Sequence, residues 1–318
     1  MKNEKVQLII PSLKADYIRA NMNFAAFFEY LPIKDIFFIG PKDLEEKVIK
    51  DKMNTEFEEH IHFINENELL STADVERAIQ EQFQKKGIKV EGFPGWYYQQ
   101  FLKLQYAYVC PDEYYLEWDA DTQPIRKVEM FDESGKPIFD IKQEYMPGYF
   151  ETIKQIFSGD DKVLPGSNSF VAEHMLFKTS YVKEMLERIE ATDFSGQRYY
   201  EKIFDALKDI HHGFSEFETY GNYMLTYHPE VYSLREWKSM RGGGIFFKPG
   251  EISEEDREWL SIDFSAITFE RYNQYIPEFA ALFQEEEYRA TMSPVEIYHI
   301  ILQNDMFNRS GEGIVLPQ

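Results

Sequence analysis

The chain has 318 residues, of which 43% are hydrophobic, so it can bury one large α/β domain or two smaller ones and does not read as a disordered protein. Its net charge of −22 repels nucleic-acid phosphate and argues against broad adsorption to anionic membranes. Cys110 is the only cysteine, which excludes an internal disulfide and a thiolate zinc cluster.

The first third of the sequence alternates between strand-like and helix-like stretches. Short apolar runs at residues 6–10, 35–39 and 62–64 predict buried strands, and helical spacing of apolar residues predicts helices over 16–31 and 44–50. This alternation indicates βαβ units with right-handed crossovers. No apolar run of about 18 residues and no signal core occurs, so we expect a cytoplasmic protein, at most peripheral to the inner membrane face.

The rest of the chain continues the mixed pattern. Residues 96–108 predict a helix with an aromatic face, residues 114–118 a buried strand, and residues 128–141 a hairpin. Further helices are predicted at 148–157, 180–189, 199–210, 275–283 and 294–303. The predicted fold class is therefore α/β, with a Rossmann-like, mainly parallel central sheet flanked by helices and a helical C-terminal tail.

Two aspartates, Asp119 and Asp121, follow the strand at 114–118, and Pro124 prevents a long continuation of that strand. In open α/β sheets, ligands bind beyond the carboxyl ends of the strands. Paired carboxylates there attract a hard divalent cation, which keeps open positions for the oxygens of a diphosphate. The pair predicts a metal and diphosphate site, and a solvated turn is the alternative interpretation.

Four motifs occur in a defined order. They are Pro11-Ser12, the helix Gly95-Trp96-Tyr97-Tyr98-Gln99-Gln100-Phe101-Leu102-Lys103-Leu104, Asp119-Ala120-Asp121, and Ser215-Glu216-Phe217-Glu218-Thr219-Tyr220-Gly221. Their order resembles GT-A-type glycosyltransferases and is similar to a poorly characterised bacterial family linked to capsule and surface-polysaccharide synthesis, over roughly the first 245 residues. The specificity lies in the combination, since no single motif is diagnostic.

The resemblance implies a GT-A-like fold, a nucleotide-sugar donor, with a UDP-sugar favoured, and Mn²⁺ or Mg²⁺ as the metal. Residues 1–125 would form the nucleotide-sugar-binding half, residues 126–250 the acceptor-binding half of the same domain, and residues 251–318 a helical extension. Asp121 would be the firmer metal ligand, and Asp119 would contact the ribose or a metal-bound water. His228 is a candidate for the late histidine ligand of some members.

Donor contacts are implied at two further places. Pro11, Ser12 and Asp16 follow the first strand, where the family meets the nucleoside; alternatively, Pro11 stops the strand and Ser12 caps a helix. On the helix at 96–108, Gln100 would contact a base or sugar edge and Lys103 a diphosphate. A merely solvated polar face is the alternative for these two residues.

Glu173 and His174 interrupt an apolar run, and a charged pair in such a place needs a partner or a cavity. They are candidates for acceptor binding. For His174, a metal contact and a hydrogen-bonded core histidine are the competing interpretations.

Glu216 and Glu218 are the candidate catalytic residues. A sugar hydroxyl becomes a good nucleophile when a positioned carboxylate takes its proton. Ser215 and Glu218 have the spacing of a capping box, which gives Glu218 a structural task and leaves Glu216 as the favoured base. The opposite assignment stays open, and a retaining enzyme would need no such base.

The sequence thus predicts a metal-dependent, inverting glycosyltransferase that acts on a surface-glycan or lipid-linked acceptor, and it leaves a peripheral membrane or assembly partner open. One alternative is a nucleotidyl- or phosphotransferase, although residues 11–15 lack the glycines of a phosphate loop. Another is a non-catalytic glycan-binding or assembly protein with the same fold. The oligomeric state is left open.

Overall fold

The computed structural model describes residues 5–21, 24–89, 95–157, 167–208, 210–211, 213–248 and 250–302. The chain forms two compact units. The first comprises Met1–Lys14, Ile33–Asp119 and Met130–Glu236, and the second comprises Ala15–Pro32, Ala120–Glu129 and Trp237–Gln318. The division predicted from the sequence, at residues 125 and 250, stays a prediction.

The strands, in chain order, are β1 (Val6–Pro11), β2 (Ile33–Gly40), β3 (Ile61–Asn65), β4 (Tyr114–Trp118), β5 (Thr122–Pro124), β6 (Ile138–Gln143), β7 (Asn168–Ser169), β8 (His174–Lys178), β9 (Ser233–Glu236), β10 (Ser239–Met240) and β11 (Ala266–Thr268). Short 3₁₀ turns occupy Glu58–His60 and Tyr106–Tyr108.

The α-helices are α1 (Lys14–Asn21), α2 (Phe24–Tyr30), α3 (Lys42–Lys52), α4 (Glu66–Leu69), α5 (Thr72–Lys85), α6 (Gly95–Gln105), α7 (Pro147–Ile156), α8 (Thr179–Glu190), α9 (Tyr199–Ala206), α10 (Glu216–Tyr227), α11 (Gly243–Phe246), α12 (Glu254–Leu260), α13 (Pro277–Phe283), α14 (Glu286–Thr291) and α15 (Pro294–Leu302). None of these described helices is long and apolar enough to span a bilayer.

The central sheet of the first unit has the strand order β3-β2-β1-β4-β8. β1, β2, β3 and β4 run parallel, and β8 is an antiparallel edge strand. Every residue of β1 and β4 is buried, as expected for strands that are covered by helices on both faces. The predicted α/β class, with a mainly parallel central sheet flanked by helices, is confirmed.

Pairing in register places the carboxyl ends of β1 and β4 at one edge of this sheet. Leu8 pairs with Leu116, and Ile9 pairs with Glu117. The residues that follow each strand, Ser12 and Asp119, therefore leave the sheet on the same side. This is the side at which open α/β sheets bind ligands.

A smaller sheet of the first unit has the order β7-β6-β9. Its core is aromatic: the rings of Phe139 and Tyr232 stack with centroids 3.6 Å apart. The hairpin predicted over residues 128–141 is reduced to a single antiparallel bridge between Phe131 and Pro137. The strand that would extend the hairpin, β6, pairs with other strands instead: it is parallel to β9 and antiparallel to β7.

The second unit has its own sheet, with the order β10-β11-β5, and its own apolar core. Met240 and Ile245 pack there with Ile267, Phe283 and Ile301. The helical C-terminal tail predicted from the sequence is present as α12 to α15. β11 was not predicted in this tail, because three residues are too few for a periodic signal.

Candidate functional site

The site is built on the last residues of β4. Successive side chains of a strand point to opposite faces, so Tyr115, Glu117 and Asp119 share one face. That face is directed toward α6, since the Tyr115 hydroxyl donates to the Lys103 carbonyl over 2.9 Å. Glu117 lies on β4, between β1 and the edge strand β8, and its side chain is fully buried.

Lys103, in the last turn of α6, brings the acidic side chains together. Its Nζ lies 2.9 Å from Oε1 of Glu117, 3.0 Å from Oδ1 of Asp119 and 2.8 Å from Oε1 of Glu216. The same ammonium lies 4.5 Å from the centre of the Phe217 ring, within cation–π range. We call these four residues, Lys103, Glu117, Asp119 and Glu216, the lysine cluster.

Glu216 enters the lysine cluster from the first turn of α10. Ser215 caps that helix by accepting from the Glu218 N–H, and Oε1 of Gln100 accepts from the Glu216 N–H over 3.0 Å. A carboxylate in the first turn is also favoured by the helix dipole. α6 and α10 are therefore joined at this point by Gln100, which contacts Glu216, and by Lys103, which contacts Glu216 and Phe217.

Burial and neighbouring charges shift the pKa values of two side chains in the lysine cluster, Lys103 and Glu117. Burial alone would lower the pKa of Lys103, but Asp119, Glu117 and Glu216 reverse the effect and raise it well above its ordinary value. Burial raises the pKa of Glu117 well above its usual range, and Asp119 and Glu216 add to the shift against the opposing effect of Lys103. No described donor makes a well-aligned hydrogen bond to either oxygen of Glu117, whose contact with Lys103 is an ion pair.

The contacts of the Glu218 side chain differ from those of the predicted capping box. Only one half of the predicted capping box forms, because the Glu218 carboxylate accepts from the Phe170 N–H over 3.0 Å and from the Asn222 amide over 3.0 Å. Burial raises its pKa to about 7, against the opposing hydrogen bonds of Ser169, Phe170 and Asn222. Glu218 thus fastens α10 to the segment that precedes β8.

His174 is buried, with both ring nitrogens occupied. Nδ1 lies 2.8 Å from the Ala172 carbonyl, and Nε2 lies 2.9 Å from Oδ2 of Asp140. Asp140 also binds Arg235, and the imidazole ring stacks on Trp118 with centroids 4.6 Å apart. This is the hydrogen-bonded core histidine of the competing interpretation, and an acceptor-binding role for His174 stays a prediction.

Glu173 is a non-glycine residue in the left-handed region, with φ 59°. Its carboxylate pairs with Lys142, and its carbonyl accepts from the Asp119 N–H over 2.9 Å. Backbone strain of this kind persists where the surroundings over-determine it. Here the strained residue fixes the backbone of Asp119, so Glu173 helps to position the lysine cluster, and its predicted contact with an acceptor remains untested.

The predicted donor residues of the first unit are also anchored within the protein. Pro11 ends β1, as one interpretation predicted, and its carbonyl accepts from the Gln99 side chain. The hydroxyl of Ser12 donates to the Ile10 carbonyl at 3.3 Å instead of capping a helix. Gln100 is buried, and its amide nitrogen donates to the Trp96 carbonyl. Their roles as donor contacts stay predictions.

Two predicted site residues, Asp16 and Asp121, belong to the second unit. Asp16 forms an ion pair with Arg19 on the same helix and lies 4.0 Å from Arg271. The carbonyl of Asp121 accepts from the Phe269 N–H over 2.7 Å, next to the ladder between β5 and β11.

The third predicted metal ligand, His228, ends α10. Its Nε2 lies 3.1 Å from Oε1 of Glu184, and its ring stacks on Tyr181. Within the described ranges, no three His, Cys, Asp or Glu side chains converge as a set that fits a metal ion. The metal-binding roles predicted for Asp119, Asp121 and His228 stay predictions, and no chemical step below is assigned to a metal.

Sequence reasoning missed two elements of this arrangement. The sequence analysis does not single out Glu117, although a glutamate inside an otherwise apolar strand is itself a signal of a buried partner. The contact of His174 with Asp140, which also binds Arg235, has no such signal, because Asp140 and Arg235 meet through the pairing of β6 with β9.

A search of curated proteins finds no match. Solved structures that match this chain include mouse xyloside xylosyltransferase 1 in apo form, with 12% identity, a TM-score of 0.42 and coverage of 86% of this chain and 99% of that one. An active-site mutant of LgtC has 10% identity, a TM-score of 0.42 and coverage of 93% and 96%. The apo WbbM bifunctional glycosyltransferase has 9% identity, a TM-score of 0.39 and coverage of 93% and 52%.

A sequence profile gives the family. The profile of a family of unknown function matches residues 3–275, which is most of the chain. This chain therefore belongs to the family of unknown function DUF6492.

Proposed function

We propose that this chain is a glycosyltransferase that moves a sugar from a nucleotide diphosphate donor to a hydroxyl group of a glycan or lipid-linked acceptor. The order of motifs along the sequence supports this proposal. The single observation that carries it is the lysine cluster, which joins Asp119, at the carboxyl end of a central strand, to Glu216, at the start of α10. A UDP-sugar is the favoured donor, and a surface glycan is the favoured acceptor.

In the proposed reaction, Glu216 is the base. Its carboxylate takes the proton of the acceptor hydroxyl while that oxygen attacks the anomeric carbon. The bond from the anomeric carbon to the diphosphate oxygen breaks, and the diphosphate leaves with the electron pair. The ion pair with Lys103 supports this role because it holds the Glu216 carboxylate beside the end of β4.

Glu216 is preferred to Glu218 as the base because of their contacts. The Glu218 carboxylate accepts hydrogen bonds from the Phe170 N–H and from Asn222, so it is committed to holding α10 in place. Glu216 is connected to the strand end instead. The proposal assigns Lys103 to this ion-pair cluster; its direct contact with a diphosphate stays a prediction.

The test is a donor-hydrolysis screen with the full chain and a panel of nucleotide sugars, each with Mn²⁺, with Mg²⁺ and with EDTA, in which release of nucleotide diphosphate is measured. We expect turnover with at least one UDP-sugar. Turnover of nucleoside triphosphates alone would favour a nucleotidyl- or phosphotransferase. Neither turnover nor a thermal shift with any nucleotide diphosphate would favour a non-catalytic glycan-binding or assembly protein.

Glu216→Gln tests the base. We expect the donor-induced thermal shift to be kept while turnover falls by about two to four orders of magnitude, the usual range for loss of general acid–base catalysis. The same substitution at the exposed Glu230 is the control and should leave turnover unchanged. Wild-type turnover in Glu216→Gln would move the base elsewhere.

A further inference from the structure

The lysine cluster contains three acidic side chains and one cation. Oxygens of Glu117, Asp119 and Glu216 lie between 2.8 and 3.0 Å from Nζ of Lys103. An ammonium carries three N–H groups, and three carboxylate oxygens surround it. Without a cation at this point, three carboxylates would face one another in a buried place, where charge repulsion is strong.

Contacts with several elements hold Lys103 in this position. Its backbone carbonyl accepts from the Tyr115 hydroxyl over 2.9 Å, and its ammonium lies over the Phe217 ring. Only 5% of its side chain is exposed. A lysine fixed by its own helix, by a neighbouring strand and by an aromatic ring has little freedom to leave when another cation approaches.

A divalent cation has different requirements from an ammonium. Mg²⁺ binds oxygens at about 2.0–2.1 Å and Ca²⁺ at about 2.3–2.6 Å, both shorter than the distances to Nζ. A second cation beside Lys103 would also meet its positive charge at short range. Among the residues that the structure describes, no group of three or more His, Cys, Asp or Glu side chains is arranged to hold a metal ion.

We propose that Lys103 is the resident cation of this site, and that its ammonium takes the place between Glu117, Asp119 and Glu216 which a divalent metal would otherwise have to fill. Asp119 therefore does not recruit a metal ion. The proposal differs from the metal dependence that the Asp-x-Asp motif predicts, because the spacing of that motif is the same whether its first carboxylate binds a metal or a lysine. The inference concerns the charge balance of the cluster and holds whether or not the chain transfers sugars.

The first experiment uses the wild-type chain and Asp119→Asn. Both are melted in EDTA and in excess Mn²⁺, Mg²⁺ or Ca²⁺, and binding of Mn²⁺ is measured by calorimetry. We expect the two proteins to respond identically to each cation, since any response then arises from other acidic groups. A Mn²⁺ site or a thermal shift that is present in the wild type and lost in Asp119→Asn would overturn the proposal.

The second experiment removes the lysine. In EDTA, Lys103→Ala should melt below the wild type, and Ca²⁺ or Mn²⁺ should raise its melting temperature by about 5 °C, because the vacated place between three carboxylates now suits a divalent ion. The double variant Lys103→Ala and Asp119→Asn should lose that rise. Wild-type stability of Lys103→Ala in EDTA would overturn the proposal, and if this variant does not fold, the comparison of wild type with Asp119→Asn decides.

Discussion

At the scale of single residues, the lysine cluster shows how a buried charge is balanced. Glu117 sits in an apolar strand and is fully buried, so its ionised form is unfavourable without a cation close by. Lys103 supplies that cation and is itself buried only because carboxylates surround it. Each group therefore makes the burial of the others tolerable, and removing one leaves the rest uncompensated.

Lys103→Met tests this mutual dependence, since methionine keeps the length of the side chain without the charge. We expect the free energy of unfolding to fall by about 3–5 kcal/mol, the range for breaking a buried ion pair by removing one partner. Urea unfolding measures the change. A variant with the stability of the wild type would contradict the reasoning.

Two controls accompany this variant. Adding Glu117→Gln to Lys103→Met removes one of the carboxylates left without a cation and should recover part of the loss. Lys127→Met breaks an exposed ion pair with Glu129, at 3.2 Å, and should cost less than about 1 kcal/mol.

Glu218 predicts a pH dependence of stability. Burial raises its pKa from 4.5 to about 7, so the folded chain binds this proton more tightly than the unfolded chain does. The stabilisation is fully present below about pH 4.5 and is lost as the pH rises through about 7. Urea midpoints measured across this window should fall with pH in the wild type and stay flatter in Glu218→Gln. Glu230→Gln, at an exposed position, should keep the wild-type slope.

At the scale of elements, α10 carries the site and also fastens the first unit. Its first turn presents Glu216 to Lys103 and Glu218 to the Phe170 N–H. Gly221 follows on the same helix, and a Cβ there would lie 2.3 Å from the Phe170 ring. A glycine inside a helix weakens it by about 1 kcal/mol relative to alanine. The close approach of the Phe170 ring explains why this position nevertheless has no side chain.

Gly221→Ala should therefore destabilise the protein although it improves helix propensity. We expect a net loss of about 1–3 kcal/mol from overpacking against Phe170, measured by thermal unfolding. Gly95→Ala is the matched control at the start of α6, where a Cβ would have no atom of the described residues within 4 Å, and it should be neutral or slightly stabilising. Stabilisation by Gly221→Ala would show that Phe170 can move.

At the scale of the whole molecule, the described residues of each unit include an apolar core. The first contains the central sheet and is rich in aromatic side chains, and the second is assembled around β10, β11 and β5. Residues after 261 contribute much of the second core, namely Phe264, Ile267, Phe269, Phe279, Phe283, Ile297, Tyr298 and Ile301. They are part of a folded unit and not an appendage to it.

Removal of the chain after Ser261 should therefore unfold the second unit. Met240, Ile245 and Phe246 lose their apolar partners, and β10 and β5 lose the strand between them. Limited proteolysis should cleave the truncated chain within residues 237–261, where the full chain resists. The full chain with Ile262→Ser, at a position 63% exposed, is the control and should resist like the wild type. Equal resistance of the truncated chain would contradict this assignment.

The sequence by itself determined the α/β class, the principal strands of the central sheet and the acidic end of β4, because hydrophobic periodicity and strand breakers are local properties of the chain. It also singled out Lys103, Asp119 and Glu216 one at a time. Only the tertiary structure decided that these three side chains meet Glu117. It also decided that Gln100 accepts from the Glu216 N–H at the start of α10, and that His174 contacts Asp140. The physical reason is that a buried ionic contact depends on how a strand packs against two helices distant in sequence, and residue spacing carries no record of that packing.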